Sequence, residues 1–231
     1  MGVVTLSSRV DVTVVEIAAV NPHWASSLLT QSEFERMTRY RFTADRQRFA
    51  AARASLRVTL SALLPPSETP LDIELDGDDR PFAASLRDRG LDFNVSHTTD
   101  LAVIAVSTGR VGVDVERFDR RVAFDEVMDG WFTPAERACV RAGCAGAVGA
   151  SFFRHWTAKE AYLKALGCGV RKLRDVEMRC ADRGAVRWKG SRDDARQLHL
   201  RMPTPEHWLA VVADAPSDVT FCRFDPTTAS I

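Results

Sequence analysis

Valine-rich segments with strand periodicity bracket helical segments, and this order occurs twice within 231 residues. The first round opens with RVDVTVVEIAAV, where Val10, Val12 and Val14 share a face by the period of two. Residues 26–64 then read as helices, with Ser32 the expected cap of the first and the Ala- and Arg-rich residues 46–64 forming the last. Pro65 and Pro66 stop that helix. Strands are expected around Leu71 to Leu75, in LDFNVSH, in LAVIAVST and in RVGVDVERF. The second round places helices at TPAERACVRAG and ASFFRHWTAKEAYLKALG, the latter stopped by Gly167 and Gly169, and returns to five short strands ending in VTFCRFD. A doubly wound sheet would alternate its elements singly, so the pattern predicts an α+β fold in two similar halves. Each half would carry helices on a mostly antiparallel sheet, residues 1–109 and 110–231.

Composition narrows the class. The chain is 45% hydrophobic and 27% charged, as soluble globular proteins are, and Lys plus Arg balances Asp plus Glu at 31 each. That balance argues against nucleic acid or a membrane surface as partner, and no segment approaches about 20 apolar residues. Five cysteines without a CxxC pairing argue against zinc and against a disulfide framework, so a reducing, cytoplasmic setting is expected. One local imbalance stands out. The stretch from Arg36 to Arg57 is rich in arginine and nearly free of acid, an expected anion-binding surface.

The chemistry concentrates in GVDVE. Asp114 and Glu116 alternate with Val113 and Val115, so both carboxylates project from one face of a strand. A solvated strand edge would tolerate them; burial would require a positive partner. On the second long helix, Phe153, Trp156 and Leu163 make an apolar stripe, and Glu160 falls inside it with Lys164 one turn on. A surface Glu160–Lys164 pair explains the spacing but not the placement among large apolar residues. Three carboxylates, Asp114, Glu116 and Glu160, suit a hard cation, Mg2+ above all if it also meets phosphate. Groups available for phosphate are Arg80, Ser96, His97, Lys159, Lys164 and the arginine-rich helix. His155 reads as a packing or surface histidine, and Cys168 as an incidental thiol without a base.

FNVSHT, VGVDVE and WTAKEAYLKALG, in this order, resemble the Sfp-type 4'-phosphopantetheinyl transferases, and the similarity runs from about Met37 to Val176. The resemblance implies transfer of the phosphopantetheine arm of coenzyme A to a serine of acyl, peptidyl or polyketide carrier proteins, with release of 3',5'-ADP. It implies that Asp114, Glu116 and Glu160 hold Mg2+ (or Mn2+), with Glu160 or a water it holds as base and Lys164 beside the departing phosphate. It further implies that Arg80 and Pro81 contact coenzyme A, although Asp79 replaces the family's glycine before them. Ser96 and His97 would hold the coenzyme's phosphates, Arg48 and Arg53 its adenosine and 3'-phosphate, and Lys159 would help clamp the phosphates. Glu136 matches an acidic position near the active site. A self-sufficient monomer with its site in the cleft between the halves is expected. The contrasting expectation is a coenzyme A-binding module without turnover.

Overall fold

The computed structural model describes residues 8–69, 71–77, 80–119, 122–143, 148–179, 185–188, 196–214 and 217–227. Asp79, which stands where the family has a glycine, lies outside them. Four strands form the first sheet: β1 (Ser8–Glu16), β4 (Asp92–His97), β5 (Leu101–Ser107) and β11 (Ser217–Arg223), in the order β11-β1-β5-β4. β1 pairs antiparallel with β5 and parallel with β11. Three strands form the second: β6 (Val111–Arg117), β9 (Arg196–Arg201) and β10 (His207–Asp214), in the antiparallel order β6-β10-β9. Two hairpins flank these sheets, β2 (Glu74–Leu75) with β3 (Pro81–Phe82), and β7 (Val176–Arg179) with β8 (Ala185–Trp188).

The period of two sorts the side chains into layers. Val10 and Val12 of β1 and Leu101, Val103 and Ala105 of β5 meet Val111, Val113 and Val115 of β6 and Leu209, Val211 and Ala213 of β10 in one core between the sheets. The opposite face of β5, Ala102, Ile104 and Val106, packs under α3 (Thr43–Ser61), which presents Ala50, Ala51, Ala54, Leu56 and Leu60. The opposite face of β10, Ala210 and Val212, packs under α7 (Val148–Leu166), which presents Ala158, Ala161, Tyr162 and Ala165. The order is therefore helix, sheet, sheet, helix, an α+β architecture as expected. β11 crosses the expected boundary, since residues near the end of the chain complete the sheet of the first half.

Local signals place the helix ends. Thr30, not Ser32, caps α2 (Gln31–Thr38): its hydroxyl accepts from Glu33 N while Glu33 returns a bond to Thr30 N. Ser32 sits one residue inside the helix, too late to close that reciprocal box. Asn21 and Pro22 start α1 (Pro22–Ser27), and Thr133, Pro134 and Glu136 repeat the box at α6 (Pro134–Ala142). α4 (Ala84–Arg87) and α5 (Phe124–Trp131) are helices that the sequence patterning does not predict. Gly167, at φ 70°, ends α7: Gly167 N donates to Lys164 O and Cys168 N to Leu163 O. These are the two bonds of a left-handed helix stop. Cys139 is disulfide-bonded, which the cysteine spacing does not predict. Among the described residues, no helix is long and apolar enough to cross a membrane.

Candidate active site

Gly112 explains why the carboxylates of β6 face α7 so closely. A Cβ there would lie 2.1 Å from Ala161 O and 2.3 Å from Ala165 N, so strand and helix touch backbone to backbone. Asp114 and Glu116 continue the face that Gly112 begins. Glu160 and Lys164 lie next to Ala161 and Ala165 on α7, one turn apart. The result brings one carboxylate oxygen each of Asp114, Glu116 and Glu160 within 4.8 Å of one another, the one such three-ligand group among the described residues.

Asp114 is 2% exposed. Its Oδ1 accepts from Lys164 Nζ at 2.7 Å and from Ser96 Oγ at 2.8 Å. Its Oδ2 is buried without a hydrogen-bond partner. Desolvation, then the charge of Asp114, pushes the Glu116 carboxyl up to about 7 and that of Glu160 up to about 8. The polar edge of the nearby Trp156 side chain partly offsets the rise. Burial disfavours charge on Lys164, but Asp114 and then Glu160 outweigh it and raise its pKa. A buried oxygen with no donor, beside two carboxyls that repel ionisation, is a donor set fitted to a hard divalent cation.

The first half supplies the other wall. β4 lies beside β6 without a main-chain ladder, and its side chains replace one. Asp92 Oδ2 accepts from Val111 N at 3.1 Å, Asn94 Oδ1 from Val113 N at 2.9 Å, and Ser96 Oγ from Val115 N at 3.4 Å. His97 ends β4 exposed, and desolvation in the cleft, followed by the charges of Arg48 and Lys164, lowers its pKa. Nearby opens a cavity of about 150 Å³ lined by Arg36, Tyr40, Phe49, Arg53, Pro81 and His97, among others. Arg53 stands there against Glu33 at 3.2 Å, while Arg48 pairs with Asp45 at 2.6 Å. Beyond Glu116 a wider cleft of about 560 Å³ is lined by Thr98, Thr99, Arg117, Phe118 and Phe153.

Two expected phosphate contacts sit elsewhere. Lys159 is 0% exposed. Its Nζ donates to Glu136 Oε2 and Trp131 O, each at 2.9 Å, with the Phe132 ring 4.9 Å away. Glu136 is equally buried and also accepts from Thr133 N and Met178 N, so this pair ties α6, α7 and β7 together. The five residues from Lys159 to Lys164 turn the helix by about 140°, which carries Lys159 away from the carboxylates. Arg80 is 10% exposed on its side chain and grips Asp92 at 2.8 Å, with further bonds to Phe93 O and Val111 O. It joins the halves from within. His155 is a packing residue as expected, with Nδ1 2.7 Å from Ser151 O and 0% exposure.

Sequence reasoning passed over Trp156, read as apolar stripe, and Asp92 and Asn94. The signal for the last two was present: Asp92, Asn94 and Ser96 alternate with Phe93 and Val95, the same polar face within a strand that marks GVDVE.

Residues 110–221 match the 4'-phosphopantetheinyl transferase superfamily model, and residues 19–109 match that of the 4'-phosphopantetheinyl transferase N-terminal region. A phosphopantetheinyl transferase of Thraustochytrium sp. is 32% identical over 228 residues, covering 90% of this chain and 79% of that protein. The chain belongs to the 4'-phosphopantetheinyl transferase family. The 4'-phosphopantetheinyl transferase HetI of Nostoc sp. is 34% identical over 157 residues, covering 66% of this chain and 65% of that relative. An L-aminoadipate-semialdehyde dehydrogenase-phosphopantetheinyl transferase of Xenopus laevis is 31% identical over 148 residues, covering 60% of this chain and 49% of its own length. The phosphopantetheinyl transferase superfamily match spans β6, α7 and β10, the elements that carry and pack the three carboxylates.

Proposed function

We propose that this chain transfers the 4'-phosphopantetheine arm of coenzyme A to a serine hydroxyl of apo acyl or peptidyl carrier proteins, releasing 3',5'-ADP. The observation that carries the reading is the meeting of Asp114, Glu116 and Glu160 with Lys164 and Ser96, next to the arginine-lined cavity. Asp114, Glu116 and Glu160 would hold Mg2+, or Mn2+; when bound, such an ion neutralises charge on the pyrophosphate. Arg53 and His97 line the cavity, Arg48 acts on His97, and the three would take the adenosine and its 3'-phosphate. Lys164 has three N–H donors, of which Asp114 and Ser96 take two, so one can meet the phosphate of the leaving 3',5'-ADP.

In the transfer the serine oxygen bonds to the β-phosphorus, the bond to the bridging oxygen breaks, and 3',5'-ADP leaves with that electron pair. The serine proton passes to Glu160, or to a water it holds. A cytoplasmic monomer is part of the same reading; the presence of both walls of the cleft in one chain supports the monomer.

The test is intact-mass analysis of several apo acyl and peptidyl carriers after incubation with the protein, coenzyme A and Mg2+. A phosphopantetheine increment is expected. Glu160→Gln and Asp114→Ala should each slow its appearance at least about a hundredfold while remaining folded. No increment on any carrier would sink the transfer; near-full activity of either variant would remove the metal assignment.

A further inference from the structure

Ser96 is occupied more fully than a phosphate-binding hydroxyl can be. A serine hydroxyl has one proton to donate and two lone pairs. Here the proton goes to Asp114 Oδ1 at 2.8 Å, and the lone pairs receive Lys164 Nζ at 3.1 Å and Val115 N at 3.4 Å. The residue is 8% exposed. To serve a phosphate it would have to release Asp114.

The consequence falls on the carboxylate. The terminal torsion of an aspartate is broad, so one anchor leaves the plane of its carboxylate free to turn. Asp114 has two anchors on the same oxygen, and they come from different bodies: Lys164 from α7 and Ser96 from β4 of the other half. Together they fix the orientation of the carboxylate. Oδ1 takes both bonds, and Oδ2 is left buried with no hydrogen-bond partner. We propose that Ser96 is a positioning residue of the carboxylate site, reaching across from the first half to hold Asp114 Oδ1 and so present Oδ2 to the cation. The inference rests on the metal reading given above. It also makes the docking of the two halves a condition for a finished metal site, since one of the two anchors belongs to each.

Asn94 provides the control. It joins the same two strands through Val113 N at 2.9 Å, at least as good a bond as that of Ser96 to Val115 N, and no hydrogen bond links it to a carboxylate of the site. The experiment is titration of Mn2+ into the coenzyme-free protein, following the free ion by electron paramagnetic resonance, with melting curves for each variant. Ser96→Ala should bind Mn2+ about tenfold more weakly than wild type, as removal of a group that orients a ligand does. Asn94→Ala should lose thermal stability and keep the wild-type affinity. Three results would overturn the inference: unchanged Mn2+ affinity in Ser96→Ala, equal weakening in Asn94→Ala, or a Ser96→Ala defect confined to the KM for coenzyme A. Failure of the wild type itself to bind Mn2+ would overturn the metal reading, and this inference with it.

Discussion

Two lysine–carboxylate pairs sit on the same helix five residues apart, and they are built to opposite ends. In Lys159–Glu136 every acceptor has a donor: Oε2 takes Lys159 and Thr133 N, and Oε1 takes Met178 N. Both side chains are 0% exposed. In Lys164–Asp114 the lysine remains 29% exposed at the cleft, and the aspartate keeps one oxygen without a partner beside two further carboxylates. A closed network of buried charge specifies packing; an incomplete one is costly unless a ligand completes it. The contrast teaches that a lysine in a functional-looking motif is assigned by what satisfies its partner, and not by the motif.

Breaking the closed pair should have the largest effect on stability. Lys159→Met leaves Glu136 charged and buried, and should cost about 3–5 kcal/mol, read as a lower midpoint in urea. Transfer per folded molecule should stay at the wild-type rate. A transfer defect without a stability defect would return Lys159 to the phosphate site.

Next in size is the seam that holds the open pair in place. Gly112→Ala forces a methyl into Ala161 O and Ala165 N and should cost at least about 1–3 kcal/mol. Because β6 must move off α7, it should also weaken Mn2+ binding, which Lys159→Met should not. Retention of full Mn2+ affinity in Gly112→Ala would show that the carboxylates do not depend on that contact.

The smallest effect is a pH slope belonging to the open pair alone. Glu116 and Glu160 have folded-state values near 7 and 8, above the ordinary 4.5. Between about 4.5 and 8 the folded chain therefore holds more protons than the unfolded chain, so cation-free stability falls as pH rises through that window and levels above it. His97, His155 and His199 are lowered from 6.5 by burial first and slope the other way below that value. The measurement is thus the difference between wild type and the Glu116→Gln, Glu160→Gln double variant, which should shrink toward zero at low pH. Saturating Mg2+ should flatten it. A difference that grows toward low pH would contradict the repulsion described at this site.

Much of the site could be read in the chain because it depends on local periodicity. Alternation put Asp114 and Glu116 on one face, and a turn of about 3.6 residues put Glu160 within an apolar stripe beside Lys164. The same reasoning found the helix stop at Gly167 and the long helices α3 and α7. It failed where a residue's role depends on which distant element packs against it. Lys159 shares a motif with Glu160 but faces Glu136, 23 residues earlier. Arg80 reads as a free cation, yet Asp92 and two main-chain carbonyls of the neighbouring strands enclose it. The return of β11 to pair with β1 carries no local mark, because parallel pairing between chain ends more than 200 residues apart is decided by the finished sheet.

The sequence by itself determined the alternation of strands and helices and the shared face of Asp114 and Glu116, since each follows from spacing along one element, and its three motifs carried the resemblance to the family. The tertiary structure alone decided which lysine stays at the cleft, which oxygen of Asp114 is left without a donor, and that Ser96 from the other half leaves it so. Those outcomes depend on hydrogen bonds closed between elements, and a bond of that kind exists only once both partners have been packed into place.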